Sequence, residues 1–278
     1  MRVHFCGVRG STPAPGPAFV RYGGFTSCVA LAHDDDAPTL LLDAGTGIRR
    51  VTDLLEDHPF RGTILLSHLH WDHTHGLPFF RGGDREGARA ALWLPDQLDG
   101  DSAEAVLARG MSPPHFPIGP EGLVGDWSFH AASPGTFEAE GFEVTALEVP
   151  HKGGRTFGYR VGDASGTVTY VPDHNPTALG PGDDGLGERH EAALALADGA
   201  DALIHDAQLL PDEVASQSQF GHAAADYAVG LGRAAGARRI VLFHHKPDRT
   251  DLELDALAAR LGADGDVVVA AEDLVLTV

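Results

Sequence analysis

Apolar and polar positions along this chain fall into short β-rich runs separated by polar breaks, and a helical period joins them toward the C-terminus. Runs that read as strands start with RVHFCGV at Arg2 and SCVALAH at Ser27. They continue through TLLLDAG, GTILLSH, ALWLP, DWSFHAA, FEVTALEVP, TFGYRVG, TVTYVPD, ADALIHDA, RRIVLFHH and DVVVAA. Most are stretches of β-branched, aromatic or leucine residues bounded by turn formers. Helices are expected at about 47–57, 74–81, 103–110, 188–197, 223–235 and 251–262, and alanine-rich periodicity supports the last three. The first half is mostly strands joined by turns, whereas the second half alternates strand and helix, as parallel units do. Gly- and Pro-rich patches near 112–125 and 176–187 read as surface loops. No repeat and no long low-complexity linker interrupts the pattern. These features predict one α/β domain over 1–278, with a loop-rich insertion at about 80–126.

Composition narrows the setting. With 278 residues and 43% hydrophobic content, the chain can bury a sizeable core. It has no apolar run of membrane-spanning length, and MRVHFCGVRG reads as a first strand rather than a secretion signal. Two cysteines, Cys6 and Cys28, make no disulfide framework, so a reducing cytoplasmic setting is expected. The formal net charge of −20 argues against a broad basic surface for nucleic acid. Lys152 and Lys246 are the only lysines. Each follows a histidine or a histidine pair, which makes them either local phosphate contacts or simply solvated side chains.

The chemistry concentrates in SHLHWDHTHGLP, which begins at Ser67 and holds His68, His70, Asp72, His73 and His75. The apolar run GTILLSH ends there. If the extended geometry persists, His68 and His70 project the same way, while Asp72 and His73 lie in the turn that follows. Two imidazoles can then grip one ion, and a carboxylate and a third imidazole can reach a second. The remaining ligands must come from distant strand ends. EVPHKGG offers His151, TYVPDHN offers Asp173, and IVLFHHKP offers His244 and His245. Carboxyl ends of strands are where open α/β sheets build their sites.

HLHWDH resembles the H-x-H-x-D-H motif of the metallo-β-lactamase superfamily, and the resemblance extends over essentially the whole chain. It implies a four-layer αββα sandwich with a two-metal site at one sheet edge. Carried over position by position, His68, His70 and His151 would hold the first metal, Asp72, His73 and His244 the second, and Asp173 would bridge them. His244 is preferred to His245 because it directly follows the strand IVLF. Asp43 in LLLDAGTG matches a pre-motif aspartate expected to orient a ligand histidine. His75 has no ligand role in that pattern and is expected on the first helical turn near the mouth. Two divalent ions are implied, zinc foremost, with manganese or iron as alternatives. Without metal, Asp72 is expected to be repelled by Asp173.

Two further stretches point to one branch. LIHDAQ, with His205 and Asp206, and GHAAADYA, beginning at Gly221, resemble motifs of tRNase Z-like phosphodiesterases. The resemblance pairs Asp206 with His222 at a helix start as a proton-donating couple. The chain departs from that pattern in having Asp206 where glutamate is usual and Ala223 where serine is usual; the plainer alternative is that Gly221-His222 merely caps a helix. It also lacks the long basic arm with which that branch grips tRNA. ARGMSPPHFPIG instead reads as the wall of a small pocket, with His115 and Phe116 as lining residues, or as a plain surface loop. The expected function is a dinuclear metal-dependent hydrolase, a phosphodiesterase acting on a small phosphodiester or nucleotide through a hydroxide shared by the two metals. Asp72, His222 and Asp206 are the expected catalytic group. A lactone or thioester hydrolase, or a pathway accessory of the same fold without hydrolytic activity, is the alternative. The expected partner is a small anionic substrate, with no long RNA and no membrane, and homodimerisation is left open.

Overall fold

Neighbouring residues on the central strands face two different cores, and this alternation builds the layers. The computed structural model describes all 278 residues. One seven-stranded sheet contains β1 (Arg2–Gly7), β2 (Cys28–Ala32), β3 (Leu40–Leu42), β4 (Arg61–Leu65), β5 (Arg89–Pro95) and β6 (Asp126–Ala132), with β14 (Val275–Thr277) added outside β1. The other contains β7 (Gly135–Ala139), β8 (Phe142–Glu148), β9 (Phe157–Gly162), β10 (Thr167–Val171), β11 (Ala202–Asp206), β12 (Ile240–Phe243) and β13 (Val267–Val269) in sequential order. Leu40, Leu42, Leu65, Tyr170, Ile204, Val241 and Phe243 pack between the sheets. Leu41, Ile64 and Leu66 point the other way, toward α1 (Ile48–Leu54) and α3 (Ala103–Ala108). On the far side, Leu203, Ile240 and Leu242 meet α4 (Glu191–Ala197), α6 (Ala225–Ala234) and α7 (Asp251–Leu261). The result is the expected αββα sandwich. Strands buried on both faces read as continuous apolar runs, which is why β3 (Leu40–Leu42) and β12 (Ile240–Phe243) are unbroken hydrophobic segments.

Parallel pairing carries the functional residues to one edge. β3, β4, β5 and β6 run parallel, as do β10, β11, β12 and β13. The register sets Val171 against His205 and Asp206 against Phe243. Asp173, Asp206 and His244 therefore emerge side by side at the carboxyl ends.

Four expectations need correction. The stretch about 80–126 is not wholly an insertion: β5 lies within the sheet because Ala90, Leu92 and Leu94 are buried in its outer core. The loop-rich parts are 80–88 and 96–125, on either side of β5. The helix expected at 74–81 is instead one turn, α2 (Trp71–Thr74), followed by a 3₁₀ turn at Leu77–Phe79 that opens around Pro78. GHAAADYA does not start a helix at His222. Gly221 takes a left-handed turn, Ala224 forms a parallel bridge with Leu209, and α6 begins at Ala225. Finally, β7, β14 and α5 (Pro211–Gln217) form where no element was expected. No helix is long and apolar enough to cross a membrane, and both cysteines are free and buried.

Candidate metal centre

After β4 the chain bends at Ser67, is extended at His70, and then turns into α2. This brings His68 and His70 to one group of donors and Asp72 and His73 to another. In the first group the donor atoms of His68, His70, His151 and Asp173 all lie within 4.8 Å of one another. His151 Nε2 is 3.3 Å from His70 Nδ1 and 3.4 Å from Asp173 Oδ1. In the second, Asp72, His73 and His244 meet in the same way. His244 Nε2 is 3.2 Å from His73 Nε2 and 3.1 Å from Asp72 Oδ2. Asp173 joins the two. Its Oδ1 faces His151 and lies 3.9 Å from His68 Nε2, and its Oδ2 is 3.0 Å from His73 Nε2 and 3.2 Å from His244 Nε2.

Several features fit cations at these points. His68 Nε2 is buried without a hydrogen-bond partner, a costly state for a polar atom unless another group engages it. Imidazole nitrogens face each other at 3.2 and 3.3 Å. Two nitrogens bound tetrahedrally to one zinc, each at about 2.0–2.1 Å, would stand about 3.3 Å apart. Burial lowers the pKa of His68 well below its ordinary value, and lowers those of His151 and His70, favouring the neutral rings that metals require. Burial would raise the Asp173 carboxyl, but His244, His73 and His68 outweigh it and hold it well below the usual carboxylate range. The same contest, won by His73 and His244, keeps Asp72 ionised. Histidines rather than Asp173 thus govern Asp72, which corrects the expected repulsion.

A second layer fixes the donors. Asp43 accepts from His73 Nδ1 at 2.6 Å, from Ser67 N at 2.6 Å, from Ser67 Oγ at 2.8 Å and from Tyr170 Oη at 2.8 Å, so the pre-motif aspartate sits beside a ligand-group histidine as expected. His151 Nδ1 is held by the Gly221 carbonyl at 2.7 Å. The sequence reading missed Ser11, Gln208 and Tyr170. Ser11 N donates to Asp72 Oδ2 at 2.5 Å, and the Gln208 carboxamide lies 3.2 Å from His244 Nδ1 and 3.3 Å from Ser11 Oγ. Gln208 closes the LIHDAQ stretch, so its signal was present; Ser11 and Tyr170 left none.

Asp206 and His222 do meet. His222 Nδ1 is 3.1 Å from Asp206 Oδ2, and the carboxylate also accepts from the backbone N–H groups of His174, Gln208 and Ala223. Burial would lower the His222 pKa, but Asp206 raises it to about 9. His222 also comes within ligand range of Asp173 and His244. The other flagged residues lie elsewhere. His245 Nε2 turns away to the Ala270 carbonyl at 2.8 Å. His75 ends α2 and stacks on Trp71. Lys246 lines the metal cleft but pairs with Glu213 at 3.1 Å, and Lys152 is exposed outside that lining. His115 and Phe116 line a separate cavity of about 470 Å³ beside the cleft.

Comparison with known proteins agrees with this geometry. A family model described as a beta-lactamase superfamily domain matches residues 39–245. Ribonuclease Z of Limosilactobacillus fermentum is 27% identical over 65% of this chain and 68% of its own length. Ribonuclease Z of Natronomonas pharaonis is 25% identical over 96% of this chain and 97% of its own. Among solved structures, a diphosphatase from the PhnP family superposes with a TM-score of 0.69 at 18% identity, covering 100% of this chain and 97% of that one.

Proposed function

The chain belongs to the metallo-β-lactamase superfamily, and from that premise we propose that it is a dinuclear metal-dependent phosphodiesterase acting on a small phosphodiester or nucleotide. The observation that carries this reading is the pair of donor groups sharing Asp173, with His68 Nε2 buried and unpaired. In this reading His68, His70 and His151 hold one ion, Asp72, His73 and His244 hold the other, and Asp173 spans both. The nitrogen and oxygen donors suit zinc, with manganese or iron as alternatives. When bound, the two ions supply an activated water and neutralise the charge that develops on the phosphoryl oxygens. Asp206 fixes the His222 ring through Nδ1, which leaves Nε2 to carry a proton to the departing oxygen. A lactone or thioester has no comparable use for that couple, because its tetrahedral intermediate can collapse without it.

The relatives named ribonuclease Z and the diphosphatase support phosphoryl chemistry. Substrate size is the finer step. Between His151 and Asp173 the chain holds only β9, β10 and their tight turn, with no projecting arm, and the net charge is −20. A cleft of about 820 Å³ over the donor groups falls in the range of small-ligand sites. The free, buried cysteines fit a reducing compartment. The test is a panel on metal-loaded protein: bis(4-nitrophenyl) phosphate, a dinucleoside phosphate, a precursor tRNA, a lactone and a thioester. The small diesters should be cleaved fastest. Faster cleavage of the precursor tRNA would overturn the small substrate, and turnover of the lactone or thioester alone would overturn the phosphodiesterase.

A further inference from the structure

Alternation along His68–Asp72 has a second product. While His68, His70 and Asp72 turn to the donor groups, Leu69 and Trp71 line both the metal cleft and the adjoining cavity of about 470 Å³. That cavity opens next to the place where a substrate phosphoryl would lie. Its walls are planar and accessible: Trp71 is 69% and Phe79 is 54% exposed. His75 stacks on Trp71 with 19° between the rings, and Phe116 meets Phe79 edge to face at 5.8 Å. The chain carries 40 acidic residues, yet none lines this cavity; its only full cation is Arg49. Clustered exposed aromatic surface rimmed by polar groups marks a binding site, and a volume of this size suits a small ring system.

We propose that this cavity is a subsite for a planar aromatic group, of nucleobase or aryl type, carried on the phosphodiester. The ring stacks among Trp71, Phe79 and Phe116, and the phosphate reaches the metal cleft past Leu69. The assignment rests on the phosphodiesterase reading and gives it a specificity: diesters bearing an aromatic substituent are preferred to alkyl diesters. The absence of carboxylates keeps an anionic substrate from being repelled on entry.

The test titrates metal-loaded protein with phenylphosphonate, hexylphosphonate and methylphosphonate, with binding read calorimetrically. Phenylphosphonate should bind at least about tenfold more tightly than methylphosphonate and more tightly than hexylphosphonate, as expected for ring burial with stacking. Phe79→Ala and Phe116→Ala should each erase most of the phenyl advantage. Methylphosphonate affinity and metal content should be unchanged. Equal binding of phenyl and methyl ligands, tighter binding of the hexyl ligand, or variants that leave the phenyl advantage intact would overturn the subsite while diester hydrolysis persists. If no phosphonate binds and no diester is cleaved by protein holding two ions, the phosphodiesterase reading fails and the subsite falls with it.

Discussion

Ser11, Asp43 and His244 all adopt positive φ values, 62°, 62° and 58°, in a region that costs a residue with a Cβ about 1–2 kcal/mol. All three belong to the second donor group or its support, where such strain persists because many contacts over-determine it. Asp43 is the hub. Asp43→Asn keeps the shape but removes the charge that holds the Nδ1 proton of His73, and should weaken the second ion about 10–100-fold while sparing the first; chelator competition reads both affinities. Asp72 behaves differently. Its folded pKa lies below the unfolded value, so its carboxylate contributes stability that is fully present above about pH 4 and is lost as pH falls through the folded value. Asp72→Ala should therefore abolish turnover and also cost the metal-free protein on the order of 1–3 kcal/mol at pH 7, a gap that narrows in acid melting experiments. His222→Ala should slow a dinucleoside phosphate by roughly two to four orders of magnitude yet barely affect a nitrophenyl diester, whose leaving group needs no proton. Loss of metal from that variant would make His222 a ligand instead.

The elements bring these residues together through contacts too close for side chains. A Cβ at Gly45 would stand 2.1 Å from the Asp72 carbonyl oxygen, and one at Gly10 would stand 2.4 Å from the His244 ring. Gly45→Ala must push α2 outward, and should lower second-ion occupancy, measured by elemental analysis, with little effect on His68 and His70. Most of this framework was legible in the sequence because β3, β4, β10, β11 and β12 are largely buried and lead into the polar site residues Asp43, His68, Asp173, Asp206 and His244. The misses share a cause. β7 is short and half-exposed at a sheet edge, and β14 has three residues, so neither has a strong period. α5 announces itself only by Pro211 and the acidic first turn after it. The helix expected at 74–81 failed because Pro78 opens a 3₁₀ turn, which an apolar pattern alone does not distinguish. Ser11 was illegible because its contribution is a backbone N–H, which any residue carries.

At the scale of the whole molecule, two sheets pack on one inner core and present their donor residues along a common edge, within a chain of net charge −20. Divalent ions at that edge would offset part of the local negative charge and would tie the ends of β4, β8, β10 and β12 together through His68, His151, Asp173 and His244. An ion bound only by the folded state, at a free concentration of 100 times its dissociation constant, adds about 2.7 kcal/mol of stability, so chelation should lower the melting temperature by several degrees. The central claim joins metal, site and reaction, and one titration addresses all three. Metal-free protein is given zinc in steps while bound metal and hydrolysis of bis(4-nitrophenyl) phosphate are followed together. Binding should saturate near two ions per chain, and activity should reach its plateau at the same point. Saturation without any turnover, turnover indifferent to added metal, or a chain that takes up no metal would contradict it.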